Sequence, residues 1–195
     1  MHAQTDLFAD TLSHPAGLHY ADDFVTRDEE AALLERIAQL PVTEARYRGF
    51  TAKRRTMHYG HGYDFEANRL RAAPPIPPFL LPLRNRAAQW AGVDAQAFVQ
   101  GLVTEYRPGT PIGWHRDVPQ FGIVFGVSLA SACRMRFRPY PPSRESAKRG
   151  FTLALQRRSA YLLRDDARWG WQHSIPDVTD QRWSITFRTM REARQ

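Results

Sequence analysis

The sequence predicts a mixed α+β, mainly β fold: an antiparallel double-sheet barrel of jelly-roll type, with N-terminal helices packed outside it. Three observations carry this. Two helix-like segments stand in the first half of the chain. From Phe98 onward a long run of short strands follows, broken by turn residues. The last of these, Arg182 to Arg188, alternates polar and apolar residues, so one face can pack while the other holds charge. The 195 residues suffice for a single domain with a sizeable core, and a 43% hydrophobic content with 11 Phe and 5 Trp marks a globular chain.

Residues 1–17 read as a loose arm, and Leu18 to Phe24 as a short strand. Thr26-Arg27-Asp28-Glu29 is a capping box with Thr26 as N-cap. Ala32, Leu33, Leu34, Ile37 and Leu40 then mark one helix face, and Pro41 follows its end. In residues 53–65, Lys53, Arg54 and Arg55 run into Tyr59, Tyr63 and Phe65. Cations interleaved with rings suit a nucleic-acid surface, with phosphates on the charges and bases on the rings. An ordinary hairpin with solvated cations and buried aromatics has the same pattern. The Pro-rich stretch 72–82 leads into a second helix carrying Leu80, Leu83, Ala87, Ala88 and Trp90, and Gly92 ends it.

The strand-rich half begins with Val99 to Tyr106 and the turn Arg107-Pro108-Gly109. Ile112 to Asp117 follows, then the apolar Phe121 to Leu129. Arg134 to Arg138 alternates basic and apolar residues, giving one wet or anion-facing side. After a polar loop over 140–150 come Phe151 to Leu155 and Ser159 to Leu163. Ala167 to Ser174 carries Trp169, Trp171 and His173, and Arg182 to Met190 is the final strand.

The formal charge is +7 and the pI about 10.1, which favours an anionic partner such as nucleic acid, although a basic solubility surface has the same charge. No apolar run is long enough to span a bilayer. Met1 to Asp10 lacks the apolar core of a secretory signal, and Cys133 is the single cysteine. A cytoplasmic monomer is the expectation.

His115 and Asp117 stand two apart, so in an extended strand both point to one face and both can reach one metal ion. A second histidine completes the two-His-one-carboxylate set of non-haem Fe(II) oxygenases. On its own, His-x-Asp equally describes a surface histidine beside a solvated acid. His173 supplies the third ligand if the chain between it and Arg182 folds back between neighbouring strands, and His19 is an alternative. On the last strand Arg182, Ser184, Thr186 and Arg188 share a face. If that face is interior, its two guanidiniums need anions, and a dicarboxylate lying along the strand serves both; an exposed face with surface arginines is the competing arrangement.

Taken in order, Tyr106-Arg107-Pro108-Gly109, His115-Arg116-Asp117, His173 and Arg182 to Thr186-Phe187-Arg188 resemble the AlkB family of Fe(II)- and 2-oxoglutarate-dependent dioxygenases. The resemblance spans about residues 98–190, and more loosely 54–65. It implies a double-stranded β-helix with iron on His115, Asp117 and His173, and 2-oxoglutarate held by Tyr106, Arg182 and Arg188. The reaction would consume O2 and hydroxylate an alkyl carbon on a base nitrogen, so that a methyl group leaves as formaldehyde. Thr104 and Ser184 stand where family members often have Asn, and both can still donate a hydrogen bond to a carboxylate. Val118-Pro119-Gln120 replaces the acidic residues that follow the motif in the bacterial repair enzyme. Residues 53–65 would be the substrate-recognition lid, with Tyr59, Tyr63 or Phe65 stacking on a flipped base and Lys53, Arg54 and Arg55 on phosphates. A same-fold dioxygenase acting on a protein or small molecule, and a silent jelly-roll binding module, are the other readings.

Overall fold

In the computed structural model, which describes residues 14–47, 49–64 and 67–192, the chain folds into two facing antiparallel sheets with helices on one side. It opens with β1 (Leu18–Ala21), α1 (Arg27–Ile37), β2 (Thr43–Tyr47) and β3 (Phe50–Tyr59). A small hairpin follows, β4 (His61–Asp64) and β5 (Arg69–Ala72). A 3-10 turn at Pro78–Leu80 runs into α2 (Leu81–Ala91). Then come β6 (Phe98–Tyr106), β7 (Ile112–His115), β8 (Phe121–Leu129) and β9 (Cys133–Pro139). The short α3 (Arg144–Ala147) precedes β10 (Phe151–Leu155) and β11 (Ala160–Leu163). The last elements are α4 (Asp165–Trp169), β12 (Trp171–Ile175) and β13 (Arg182–Met190). The major sheet has the order β1-β11-β8-β13-β6-β3-β2, and the minor sheet β10-β9-β12-β7.

Period-2 patterning on β13 decides where the two cores sit. Trp183, Ile185 and Phe187 pack outward from the barrel against Leu33 and Ile37 of α1 and Leu83, Ala87 and Ala88 of α2. The alternate residues Arg182, Ser184 and Thr186 are also buried, and they face the barrel interior. A second core, including Val124 and Leu163 from the major sheet and Met135 and Phe137 from the minor sheet, fills the space between the sheets. The jelly-roll architecture with helices outside is therefore the one expected. Among the described residues no helix is long and apolar enough to cross a membrane.

Three elements differ from the sequence-based expectation. The first strand stops at Ala21 because Asp22 and Asp23 turn the chain; Asp23 adopts φ 47° and its carboxylate accepts two bonds from Arg158. Residues 53–59 are no free hairpin but belong to β3, which pairs with β6 from Arg55↔Glu105 to Tyr59↔Gly101. Only from His61 does the chain leave this sheet. Gly60 makes the corner, at φ +69°, where a Cβ would sit 2.0 Å from the Val99 carbonyl oxygen. Finally, Asp117 lies beyond the end of β7, and α4 interrupts the stretch that contains His173.

The capping box forms as expected: Thr26 Oγ1 accepts from the Glu29 amide and Glu29 Oε2 from the Thr26 amide. Glu29 also pairs with Arg86 of α2, and that hydrogen bond lowers its pKa from 4.5 to about 2. A carboxylate with a depressed folded-state pKa contributes stability above its ordinary pKa, and the contribution vanishes as pH falls toward the depressed value. Glu29→Gln is accordingly expected to lower the urea midpoint at neutral pH, with the gap to the parent closing between pH 4.5 and 2. A gap independent of pH would contradict the assignment.

Candidate active site

His115 ends β7 and His173 lies opposite it on β12, as Cα partners in the antiparallel ladder. Their ring centroids are 4.3 Å apart. His115 Nδ1 lies 2.8 Å from the Gly113 carbonyl oxygen, so Nδ1 carries the proton and Nε2 keeps its lone pair. Asp117 enters from the loop after β7. Its Oδ1 accepts a hydrogen bond from Arg188 Nε at 2.8 Å and forms an ion pair with Arg188 Nη2 at 2.6 Å. Its Oδ2 is buried, has no hydrogen-bond partner, and lies 3.6 Å from His173 Nε2.

These three side chains are what the sequence motif brings together. Among the described residues, no three His, Cys, Asp or Glu side chains already stand in the ligand geometry of a formed metal cage. Asp117 is drawn toward Arg188 instead. Yet the donor chemistry fits a divalent cation: an orphaned buried carboxylate oxygen, two imidazoles, and a tautomer that leaves His115 Nε2 available.

The electrostatics point the same way. Burial alone would raise the Asp117 pKa, but the Arg188 guanidinium, with His173 and Arg168, overrides it and holds the carboxyl well below the ordinary range. Burial and the neighbouring His115 lower His173 to about 3, and burial lowers His115 despite Asp117. At neutral pH the set is two neutral imidazoles and one carboxylate, the protonation states a cation needs.

Beside this cluster, polar side chains gather on the inner face of the major sheet. Arg182 is 1% exposed; its Nε donates to Ser128 Oγ at 2.9 Å, and its guanidinium stands 4.9 Å from the Tyr106 ring centroid. Its Nη1 is buried with no partner. A buried cation with an unsatisfied donor needs an anion. Tyr106 is directly opposite Arg182 in the ladder, and the buried Thr104 is opposite the buried Ser184. All five residues expected to hold the co-substrate therefore stand on one face of the paired strands β6 and β13. The two arginines differ, however. Arg188 already pairs with Asp117 and donates to Gln100 Oε1 at 2.8 Å.

Several residues here escaped the sequence reading. The Tyr161 ring lies flat over Gly126, where a Cβ would sit 2.5 Å from it. Its hydroxyl pKa is raised first by burial and then by Asp117. Arg168 is buried and donates to the carbonyls of Asp117, Val118, Phe121 and Gly122, fixing the loop that carries Asp117. Burial lowers its pKa to about 10. Gln100 completes the support of Arg188. None of these has a sequence signal, because each acts through a partner far along the chain.

The residues expected to meet substrate divide. Tyr59 does not stack on a base: it is 5% exposed and packs in the outer core, since it falls on the β3 face turned to the helices. Its neighbour His58 falls on the opposite face, and burial, then Arg188, lower its pKa to about 4. Arg55 is tied to Glu105 at 2.8 Å and to the Val42 carbonyl. Lys53 reaches the Gly109 carbonyl oxygen at 3.3 Å from an exposed position. Arg54 lies close enough to His115 and His58 to lower both pKa values. Tyr63 bonds to Asn68 across the small hairpin. Phe65 lies outside the described residues.

A family model described as the 2OG-Fe(II) oxygenase superfamily matches residues 17–194. The chain belongs to that superfamily. Curated relatives sharpen the likeness. An uncharacterized protein, L905, of Acanthamoeba polyphaga mimivirus is 31% identical over 189 residues, covering 89% of this chain and 85% of the relative. An Arabidopsis thaliana protein named "Alkylated DNA repair protein ALKBH8 homolog" is 29% identical over 82% of this chain and 51% of its own length. A Danio rerio protein named "Probable RNA/DNA demethylase ALKBH6" is 25% identical over 85% and 72%. The fold matches the solved structure of OsALKBH1 with a TM-score of 0.70 at 14% identity, over 90% of this chain and 97% of that one. The AlkB-like relationship and the dioxygenase class are thus borne out, and the silent-module reading falls away.

The two arginines make a two-sided prediction. Arg188→Met leaves Asp117 buried and unpaired, and should cost about 3–5 kcal/mol of stability as well as weaken metal binding. Arg182→Met removes an under-satisfied buried cation. It should leave the thermal midpoint unchanged or raised, yet weaken 2-oxoglutarate binding at least about tenfold. Equal losses of stability and of co-substrate affinity in both variants would show that the arginines are not so divided.

Proposed function

We propose that this protein oxidatively dealkylates N-alkylated bases in DNA or RNA, in alkylation repair or demodification, with Fe(II) on His115, Asp117 and His173. The observation that carries the reading is the pair of buried, unsatisfied groups that face the barrel interior: Asp117 Oδ2, suited to a cation, and Arg182 Nη1, suited to a carboxylate. When bound, Fe(II), 2-oxoglutarate and O2 supply the oxidising chemistry. The chain does the rest. Arg188 keeps Asp117 ionised, while Gly113 sets the His115 tautomer. Arg182 and Tyr106 would hold one end of the diacid, helped by Thr104 and Ser184, and Arg188 would meet the other. Arg168 holds the loop that carries Asp117.

The +7 charge and the names of the relatives support a nucleic-acid substrate. We read Lys53 and Arg54 as phosphate contacts and Tyr63 or Phe65 as the ring that stacks on the base; Arg55 is committed to Glu105 and contributes less. The single cysteine supports a reducing, cytoplasmic setting. A protein or small-molecule substrate is the second reading, favoured by the absence of a carboxylate in Val118-Pro119-Gln120.

The test is a panel of singly N-methylated DNA and RNA oligonucleotides, scored for formaldehyde and succinate with Fe(II) and 2-oxoglutarate present. Matched formaldehyde and succinate from at least one oligonucleotide, lost on chelation, is expected. Succinate without formaldehyde from any of them would transfer the assignment to a different substrate class.

A further inference from the structure

The basic and aromatic interleaving sought in residues 53–65 is realised elsewhere, on the outer face of the minor sheet. Strand β9 turns Met135 and Phe137 into the core, and Arg134, Arg136 and Arg138 to the outside. Trp114 stands on the same outer face, one residue before His115 on the edge strand β7. The Arg138 and Arg136 guanidiniums lie 4.3 and 5.3 Å from its ring centroid. Each is steered from β12: Arg138 Nε donates to Gln172 at 2.9 Å and Arg136 Nε to Ser174 at 3.2 Å. Across the ladder on β10, Thr152 and Ala154 face Arg136 and Arg134, and both are too short to cover them.

The charge of this row is uncompensated. Elsewhere arginines are neutralised by acids: Arg55 by Glu105, Arg86 by Glu29, Arg157 by Glu30, Arg158 by Asp23. Among the described residues no ion pair involves Arg134, Arg136 or Arg138. The row also continues toward the active site. Arg116, between His115 and Asp117, lies 3.6 Å over the ring of Tyr140, which is 43% exposed just beyond the end of β9.

We propose that this face, Arg134, Arg136 and Arg138 with Trp114, binds the phosphodiester backbone of the single strand whose target base enters the site. The proposal rests on the nucleic-acid reading above. Outward residues on one strand are about 7 Å apart. That matches every second phosphate of a stacked single strand, at about 3.4 Å of rise each. A straight row of like charges suits a linear polyanion, and the indole against which Arg136 and Arg138 pack keeps their guanidiniums in that row. The strand would round the β7 edge, where Trp114 faces out and His115 faces in.

The test combines Arg134→Gln, Arg136→Gln and Arg138→Gln and measures binding of a single-stranded oligonucleotide across a salt series, as DNA and as RNA. Loss of three phosphate contacts should weaken binding about tenfold or more at low salt and reduce the slope of log K against log salt by about 2. DNA and RNA should be affected alike, because guanidinium reads phosphate and not sugar. Trp114→Ala should weaken binding without changing the slope. Unchanged 2-oxoglutarate affinity, measured by calorimetry, should accompany these losses and shows the site is intact. If the parent binds the strand and the triple variant matches it in affinity and slope, the face is not a binding surface and the proposed function still stands. A parent that binds no strand overturns both.

Discussion

The Arg188–Asp117 ion pair is the contact on which the rest of the site depends. It spans the two sheets, because Arg188 belongs to β13 of the major sheet and Asp117 follows β7 of the minor one. Carboxylate burial is unfavourable unless a cation and hydrogen bonds meet it. Arg188 meets one oxygen with a hydrogen bond and an ion-pair contact, and the second oxygen lies 3.6 Å from His173 Nε2. Support extends outward on both sides. Gln100 accepts from Arg188 through Oε1 and donates through Nε2 to the His61 carbonyl, at the start of the small hairpin. Arg168 fixes the carbonyls of the loop on the other side of Asp117. The hairpin and the candidate metal centre are thereby joined by one chain of hydrogen bonds.

The same economy explains why the barrel interior tolerates so much charge. β13 is central in the major sheet, and its apolar face supplies Trp183, Ile185 and Phe187 to a core shared with both helices. That burial stabilises the strand strongly enough to carry Arg182 on its other face with a donor unsatisfied. Arg182 is then a buried cation with an unpartnered donor, held at some cost to stability, and this is why we propose it as the group that meets the co-substrate.

Much of this was legible in the residues because it depends on local periodicity. The capping box at Thr26, the αL residue Gly92 after α2 and the alternation of Arg182 to Arg188 are short-range signals, and each folds as read. So is the approach of His115 to Asp117, although a loop rather than a strand brings it about. What was not legible depends on pairing over long distance. Tyr59 looked like a stacking ring until the register of β3 against β6 placed it on the core face and His58 on the inner one. Arg168, Tyr161 and Gln100 acquire their roles only from partners tens of residues away. Arg134 to Arg138 showed a wet face in the sequence, but only the position of Trp114 across β12 shows how it is organised.

Whether His115, Asp117 and His173 take one cation, with Arg188 keeping Asp117 ionised for it, is decided by an anaerobic Fe(II) titration followed by calorimetry. One ion per chain is expected in the parent, and loss of that binding in each of His115→Ala, Asp117→Ala and His173→Ala, with all three variants folded. Parent-like Fe(II) binding by any one of them would remove that residue from the site.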